Sequence, residues 1–452
     1  MSQKPFPTET FVATVVQLMD TIQHNDANYT HDERVGRLSY AYKKAASYFA
    51  QPHVREMLQV KPKRLQAALQ TITGMVVYCW VNASPELCAA LTIHYTYTMI
   101  LDDSEDDPYS SMRDFFGDMV NGRQQKHPWW KLVNDHFPDV LKHYGPFCSL
   151  NIYRSTVDFF EGCWIEQYAF NGYKGSSDYP DFLRRMNGLG HAVGASIWPA
   201  EMFDERQLFR EITTAICMME NWMVWVNDLI SFYKEFDDER DQTSLVNNYC
   251  HVGGLAIDEG LQKLTTQTLR VSEELVAVFK DKDPRLVDTM TRFMHGYVTW
   301  HLCDKRYRIS EIHKQICSSG DPVKQSFCRY FDNANKVGRV DAAEWATPKV
   351  DDLLWANAIE NIQPAPEPAP AQGGSDEKVE PEGLEGAEAL KPTRDDGCQD
   401  TGPNKIGGDI ATEWAKSIRH LQAHHRISSM CKAPAHGARN KDVTGKHGCG
   451  VV

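Results

Sequence analysis

The sequence predicts an all-α domain of ten or more helices over residues 1–355, followed by an extension that cannot build a core. Apolar residues recur at three- and four-residue spacing through the first 350 residues, the mark of helices with one buried face. Prolines and glycines fall between these runs, at Pro85, Pro108, Pro128, Pro138, Gly145-Pro146, Gly172 to Pro180 and Gly253-Gly254. No series of alternating apolar and polar residues marks out strands. The domain is too large for a simple four-helix bundle, and no internal repeat is visible.

Arg64–Trp80 carries Leu65, Leu69, Ile72, Val76 and Val77 along one helical stripe. Leu87–Leu101 is apolar nearly all round, so it belongs at the centre. Phe147–Tyr168, Phe182–Val193, Leu208–Glu239, Gly260–Phe279 and Pro284–Arg308 continue the series. Near residue 355 the composition changes. Gln363-Pro-Ala-Pro-Glu-Pro-Ala-Pro-Ala-Gln372 and the acidic run through Glu388 read as a semi-extended linker over 356–400. Residues 401–452 are poor in large apolar groups and read as a mostly disordered tail, with at most a short helix near Ile410–Leu421.

The 452 residues carry a formal charge of −13, which argues against binding nucleic acid through its phosphates. No apolar run is long enough to cross a bilayer, so no stable membrane insertion is expected. The first residues lack the basic and apolar regions of a secretory signal. Twelve scattered cysteines with no Cys-x-x-Cys pair, among them Cys79, Cys163, Cys217 and Cys303, read as reduced, mostly buried thiols of a cytoplasmic protein.

Four clusters carry chemistry. The apolar helix through Leu101 runs into Asp102-Asp103-Ser104-Glu105-Asp106-Asp107-Pro108, five acids in six residues. Asp102 and Asp106 share a helical face, with Asp103 off to one side. Their charges repel, and a helix C-terminus disfavours anions. A bound magnesium ion would relieve both penalties; a solvated acidic cap is the plainer explanation.

Asn227, Ser231 and Glu235 are spaced four apart on one helix. Each step turns about 40° and rises about 6 Å, so an amide oxygen, a hydroxyl and a carboxylate form one tilted column. That set suits a hard divalent cation. Polar-face residues bonded to neighbouring helices would give the same pattern. Asp237-Asp238-Glu239-Arg240-Asp241 is a second acidic run that competes with the column. It points about 200° away from Glu235 on a helix, so it is assigned to a solvated helix end.

The basic cluster is Asp304-Lys305-Arg306-Tyr307-Arg308, with Arg184, Arg185, Lys234 and Arg64 as further candidates. Arg306 offers a planar fork for phosphate oxygens and Tyr307 a hydroxyl. Pairing with protein carboxylates is the alternative for each. Tyr95, Tyr97, Phe159, Phe160, Trp164, Trp222, Trp225, Tyr297 and Trp300 lie on the same helices. Such rings usually pack a core. Their faces also attract a carbocation, at about 0.5–2 kcal/mol each, without acting as nucleophiles.

At these residues the chain resembles the fungal class I sesquiterpene cyclases. The resemblance rests on Leu101-Asp-Asp-Ser-Glu-Asp-Asp-Pro-Tyr109, Pro128-Trp-Trp130, Asp158-Phe-Phe-Glu-Gly-Cys-Trp-Ile-Glu-Gln-Tyr168, Phe182-Leu-Arg-Arg-Met-Asn-Gly188, Asn227-Asp-Leu-Ile-Ser-Phe-Tyr-Lys-Glu235 and Asp304-Lys-Arg-Tyr307. It covers about residues 5–350. Lys305 stands where arginine is expected, keeping the charge and losing the fork.

The resemblance implies the class I terpene synthase fold with a central active-site cavity, a homodimer, three magnesium ions and farnesyl diphosphate as substrate. It implies that Asp102 holds one group of ions, supported by Asp103 and Asp106. Asn227, Ser231 and Glu235 would hold another ion. Arg184, Lys234, Arg306 and Tyr307 would bind diphosphate, and Tyr95, Phe159, Tyr297 and Trp300 would line the pocket. The implied reaction ionises farnesyl diphosphate, rejoins it as nerolidyl diphosphate and closes it to a bisabolyl cation. A hydride shift, a second closure, two methyl migrations and proton loss then give trichodiene, the first committed compound toward trichothecenes.

Three alternatives remain open at this point: another cyclisation product on the same scaffold, a chain-elongating prenyl synthase, and a catalytically dead diphosphate-binding protein. His424-His425 and Cys449 in the tail read as solvated residues rather than a metal site and a lipidation signal.

Overall fold

A computed structural model describes residues 5–102, 113–236 and 243–355, and every regular element among them is helical. These residues belong to the first of two units, Met1–Ala369. In chain order the helices are α1 (Thr8–Thr21), α2 (His31–Phe49), α3 (Pro52–Leu58), α4 (Pro62–Cys79), α5 (Pro85–Asp102), α6 (Phe115–Val120), α7 (Pro128–Leu141), α8 (Pro146–Gln167) and α9 (Tyr179–Asn187). They continue as α10 (Gly190–Ser196), α11 (Phe209–Phe236), α12 (Leu245–Gly253), α13 (Ile257–Phe279) and α14 (Pro284–Cys303). A 3-10 turn (Lys305–Tyr307) precedes α15 (Ile309–Ile316), α16 (Pro322–Gly338), α17 (Ala342–Trp345) and α18 (Val350–Trp355). The all-α expectation therefore holds among the described residues.

Prolines start many of these helices, at the first-turn position where a missing N–H costs nothing. Side-chain caps also act: Thr30 and Glu33 form a reciprocal capping box for α2, and at α16 Asp321 accepts from Val323 and Lys324 ahead of the starting proline. Pro138 departs from its expected place between helices. It lies inside α7, where the helix runs on to Leu141.

Six helices form a closed ring in which each packs on the next: α5, α4, α14, α11, α10 and α8. In α5, 14 of 18 residues are buried, and α2, α4, α7 and α8 all pack against it, so the central position read from its composition is correct. The α4–α14 crossing is close. A Cβ on Gly296 would overlap the carbonyl of Tyr78, so only glycine fits there. Arg34 is wholly buried, paired with Asp26 at 3.2 Å, and lies 4.2 Å over the Tyr78 ring, which ties α2 to the same crossing.

Two predicted helices are divided. Phe182–Val193 is not continuous: Leu189 takes a positive φ of 56° between α9 and α10. The cause is the approach to α11, where a Cβ on Gly188 would sit 2.5 Å from Val224 Cγ1. Pro284–Arg308 ends instead at Cys303, because Asp304 turns extended and its carboxylate caps the 3-10 turn through Arg306 N. That break carries Arg306 and Tyr307 off the helix. Of the thiols expected to be buried, Cys79 and Cys163 are, Cys303 is partly so, and Cys217 is exposed. No described helix is long and apolar enough to cross a membrane.

Candidate active site

Several of the predicted site residues come from four segments that deliver them at or just beyond helix C-terminal ends. Asp102 is the last residue of α5, and Arg184 lies in the last turn of α9. Lys234 and Glu235 lie in the last turn of α11, and Arg306 and Tyr307 follow α14 directly. Helix C-termini carry unsatisfied carbonyls and partial negative charge, a setting that favours cations. Arg64 already answers one of them, with Nη2 3.4 Å from the carbonyl of Ile100.

Asp102 does not stand alone. Its carboxylate, the carboxylate of Glu166 and the thiol of Cys163 have ligand atoms all within 4.8 Å of one another. Glu166 lies in the last turn of α8. Sequence reading quoted the run containing Glu166 but gave that residue no role. Two carboxylates this close repel unless a cation sits between them. The thiol is a soft donor and a poor match for magnesium.

The column on α11 is present, and each member is differently satisfied. Asn227 Oδ1 accepts from Arg184 Nη2 at 3.2 Å, while its Nδ2 donates to His301 Nε2 at 3.1 Å. Ser231 is 2 % exposed, and its Oγ has no hydrogen-bond partner. A buried hydroxyl without a partner costs about 1–3 kcal/mol, so this atom is aimed at something the polypeptide does not supply. Glu235 is partly buried with Lys234 Nζ 3.4 Å away. These oxygens fit a hard cation with room for water or phosphate.

Arg184 joins the two halves. Its Nε lies 2.7 Å from Asp228, and the charges of Glu166 and Glu235 both act on it. Burial raises Asp228 to about 6, against the opposing pull of Arg184. Burial also works against the charge on Arg184, and Asp228, with Glu166 and Glu235, together more than offset it, so the guanidinium stays protonated. Arg184, Asn227 and Asp228 therefore form one hydrogen-bonded cluster, and Glu166, beside Asp102, lies within electrostatic reach of it. Tyr307, buried at 3 % exposure, completes it. Burial raises its hydroxyl well above the usual range, and Arg306, Glu235 and Asn227 act on it from close by.

The aromatics sort into two groups. Phe160 stacks on Trp129, and Trp222 Nε1 donates to Ser272, so both are core residues, as is Tyr97 through Tyr48. Tyr95 and Phe159 are also buried, and both stand seven residues before an acid of the site, Asp102 and Glu166. Seven residues is about two turns and 10 Å, so each ring lies beneath its acid on nearly the same face. Tyr95 hydrogen-bonds Ser196 Oγ at 3.1 Å, and Ser196 in turn donates to Val193, so the phenol is the donor, while its ring packs against Trp80 and His94 with centroids 5.5 and 5.3 Å away. Tyr297 and Trp300 are buried, with ring centroids 5.9 Å apart, and Tyr297 donates to the Met223 carbonyl at 3.3 Å. A cavity near Trp80, Ile197, Thr289 and Phe293 holds about 10 Å³, room for one water. Too small for a substrate, it lies at the opposite end of α5 from Asp102.

Asp103, Asp106 and the competing run Asp237–Asp241 lie outside the described residues, as does the segment 356–452.

An α-helical ring whose helix ends gather carboxylates, an amide–hydroxyl–carboxylate column and buried arginine defines the class of site that a metal and a diphosphate can share. Comparison with known proteins is more specific. The family described as trichodiene synthase matches residues 5–362. Trichodiene synthase of Fusarium boothii is 60% identical over 363 residues, 80% of this chain and 97% of that protein. Those of Fusarium culmorum and Gibberella zeae are each 59% identical over the same length. The chain belongs to the trichodiene synthase family.

Proposed function

We propose that the protein converts farnesyl diphosphate to trichodiene and releases diphosphate, as a carbon–oxygen lyase of fungal sesquiterpene metabolism that opens trichothecene biosynthesis. Asp102 and Glu166 would hold one group of magnesium ions, with Asp103 and Asp106 of the same acidic run in support. Asn227, Ser231 and Glu235 hold a further ion, to make three. When bound, magnesium neutralises negative charge on the diphosphate as its bond to carbon weakens. Arg184, Lys234, Arg306 and Tyr307 hold the diphosphate oxygens by charge-assisted hydrogen bonds that strengthen as the leaving group gains charge. The C1–O bond breaks, its electron pair leaves with diphosphate, and the allylic cation remains among Tyr95, Phe159, Tyr297 and Trp300. These rings exclude water and offer π density without a free nucleophile. The departing diphosphate is itself a base for the last proton.

The single observation that carries this reading is the succession of interacting groups from Asp102 through Glu166 and Arg184 to Asn227, which joins the two halves of the site. Residues 1–355 are the active portion, with 356–400 a linker and 401–452 an appended tail. The enzyme works as a cytoplasmic homodimer. Incubation with farnesyl diphosphate and magnesium, followed by gas chromatography–mass spectrometry, tests the proposal. Trichodiene as the main volatile product is expected. A different hydrocarbon would move the chain to another cyclase activity, and turnover only with added isopentenyl diphosphate would make it a chain-elongating synthase.

A further inference from the structure

His301 is fully buried in α14 and is not among the residues that the sequence motifs single out. Its Nδ1 lies 2.7 Å from the carbonyl of Tyr297, one turn earlier. A carbonyl oxygen only accepts, so Nδ1 carries the proton of the neutral ring and Nε2 is left as an acceptor. Nε2 lies 3.1 Å from Asn227 Nδ2. An amide can satisfy an acceptor only with its NH₂ group, so this contact, together with the Arg184 donor on Oδ1, fixes which way round the Asn227 side chain sits. The oxygen is forced to the opposite side, toward Arg184 and the column. The ring has little freedom to turn: Tyr297 and Tyr307 both pack with centroids 4.4 Å away, and Trp300 packs at 4.5 Å.

We infer that His301 is a positioning residue that selects the oxygen of Asn227, rather than its NH₂ group, for the cation. An unconstrained asparagine has two faces of nearly equal shape, and one of them is a donor that cannot ligate. A backbone carbonyl sets the tautomer of His301, His301 sets the amide, and the amide presents the ligand. This rests on the reading of Asn227 as a cation ligand.

The test uses inorganic diphosphate as probe, so that binding is read without turnover. The Mg²⁺ concentration giving half of the diphosphate-dependent rise in melting temperature is measured for the full chain, Asn227→Ala, His301→Phe and the double variant. His301→Phe keeps ring volume and loses both nitrogens. It should raise the Mg²⁺ midpoint about tenfold or more, the size typical of losing a residue that orients a metal ligand. On the Asn227→Ala background the same change should add no more than about twofold, because the orienting contact has nothing left to orient. His301→Gln, which can accept from Asn227, should recover most of the midpoint, whereas His301→Met, of similar length without the acceptor, should not. The Gln–Met contrast decides the question if the Phe variant does not fold. An unchanged midpoint in folded His301→Phe, equal midpoints for Gln and Met, or a full repeat of the loss on Asn227→Ala would overturn the inference. If Asn227→Ala alone leaves the midpoint unchanged, the ligand reading of Asn227 fails instead, and the two failures are told apart.

Discussion

Ser231→Ala should move the free and the ligand-bound enzyme in opposite directions. Ser231 Oγ is buried and has no partner, so the free protein bears the desolvation cost of a hydroxyl, about 1–3 kcal/mol. Alanine removes that cost, leaves a gap of one oxygen atom and gains a few tenths of a kcal/mol in helix propensity within α11. A net gain of about 1–2 kcal/mol follows. Unfolding entropy near 2.1 cal/mol/K per residue over roughly 350 residues converts this to about 1.4 °C per kcal/mol, hence a rise of about 1–3 °C. With Mg²⁺ and diphosphate the ordering reverses, since the variant lacks one ligand of the column. Its ligand-dependent rise in melting temperature should shrink, and the Mg²⁺ needed for half-maximal turnover should increase about tenfold or more. Differential scanning calorimetry with and without Mg²⁺ and diphosphate, beside steady-state rates across Mg²⁺ concentrations, reads both limbs. A variant that is less stable when free would show that the hydroxyl has a structural partner. Unchanged Mg²⁺ dependence would remove Ser231 from the site.

Asp102→Glu lengthens one ligand by a methylene and should slow turnover and broaden the product spectrum; chromatography giving the parent's product profile at the parent's rate would count against its place at the metal. Asp228→Asn strips the buried Arg184 of its carboxylate and should lower stability by about 3 kcal/mol. Diphosphate should restore part of that loss by supplying another anion, and a melting temperature insensitive to diphosphate would mean that Arg184 does not face it. Burial holds His94 and His301 near 3, and burial with His295 holds His24 near 4, so all three are neutral when folded. The unfolded chain takes up these protons near 6.5, so stability present above that pH is lost on acidification, at up to about 1.4 kcal/mol per pH unit for each histidine. Asp228, raised toward 6 by burial, works the other way with a single proton. Urea midpoints should therefore fall between pH 6.5 and 5, and a rise would contradict the buried neutral rings. Ending the chain after residue 355 should leave soluble enzyme with an unchanged rate, and aggregation of that truncated protein would show that the extension packs against the domain.

The ring of helices was largely legible because five of its six members, all but the short α10, repeat apolar residues over fifteen or more positions, and such periodicity survives any local detail. Leu87–Leu101 and Phe147–Tyr168 fall within two residues of α5 and α8. Breaks were harder to see. The division at Leu189 depends on how closely α11 approaches, a distance that no local pattern encodes. The end of α14 at Cys303 depends on Asp304 turning its side chain back onto the following backbone. In the site, residues four apart on one helix announced themselves, as Asn227, Ser231 and Glu235 do. Glu166, Asp228 and His301 did not, because each matters through a partner on another helix. One signal for Glu166 was available: Phe159 precedes it by the same seven residues that separate Tyr95 from Asp102.

That shared spacing makes the scaffold a ruler. The distance from the charged rim to the first rings is counted in whole helical turns, not tuned by side-chain bulk, so it changes only in steps of about 5.4 Å. One such step is close to the span of a single isoprene unit. A relative that carried its ring one turn deeper on both α5 and α8 would admit a chain one unit longer, whereas swapping one ring for another at the present depth would alter only how the same chain curls.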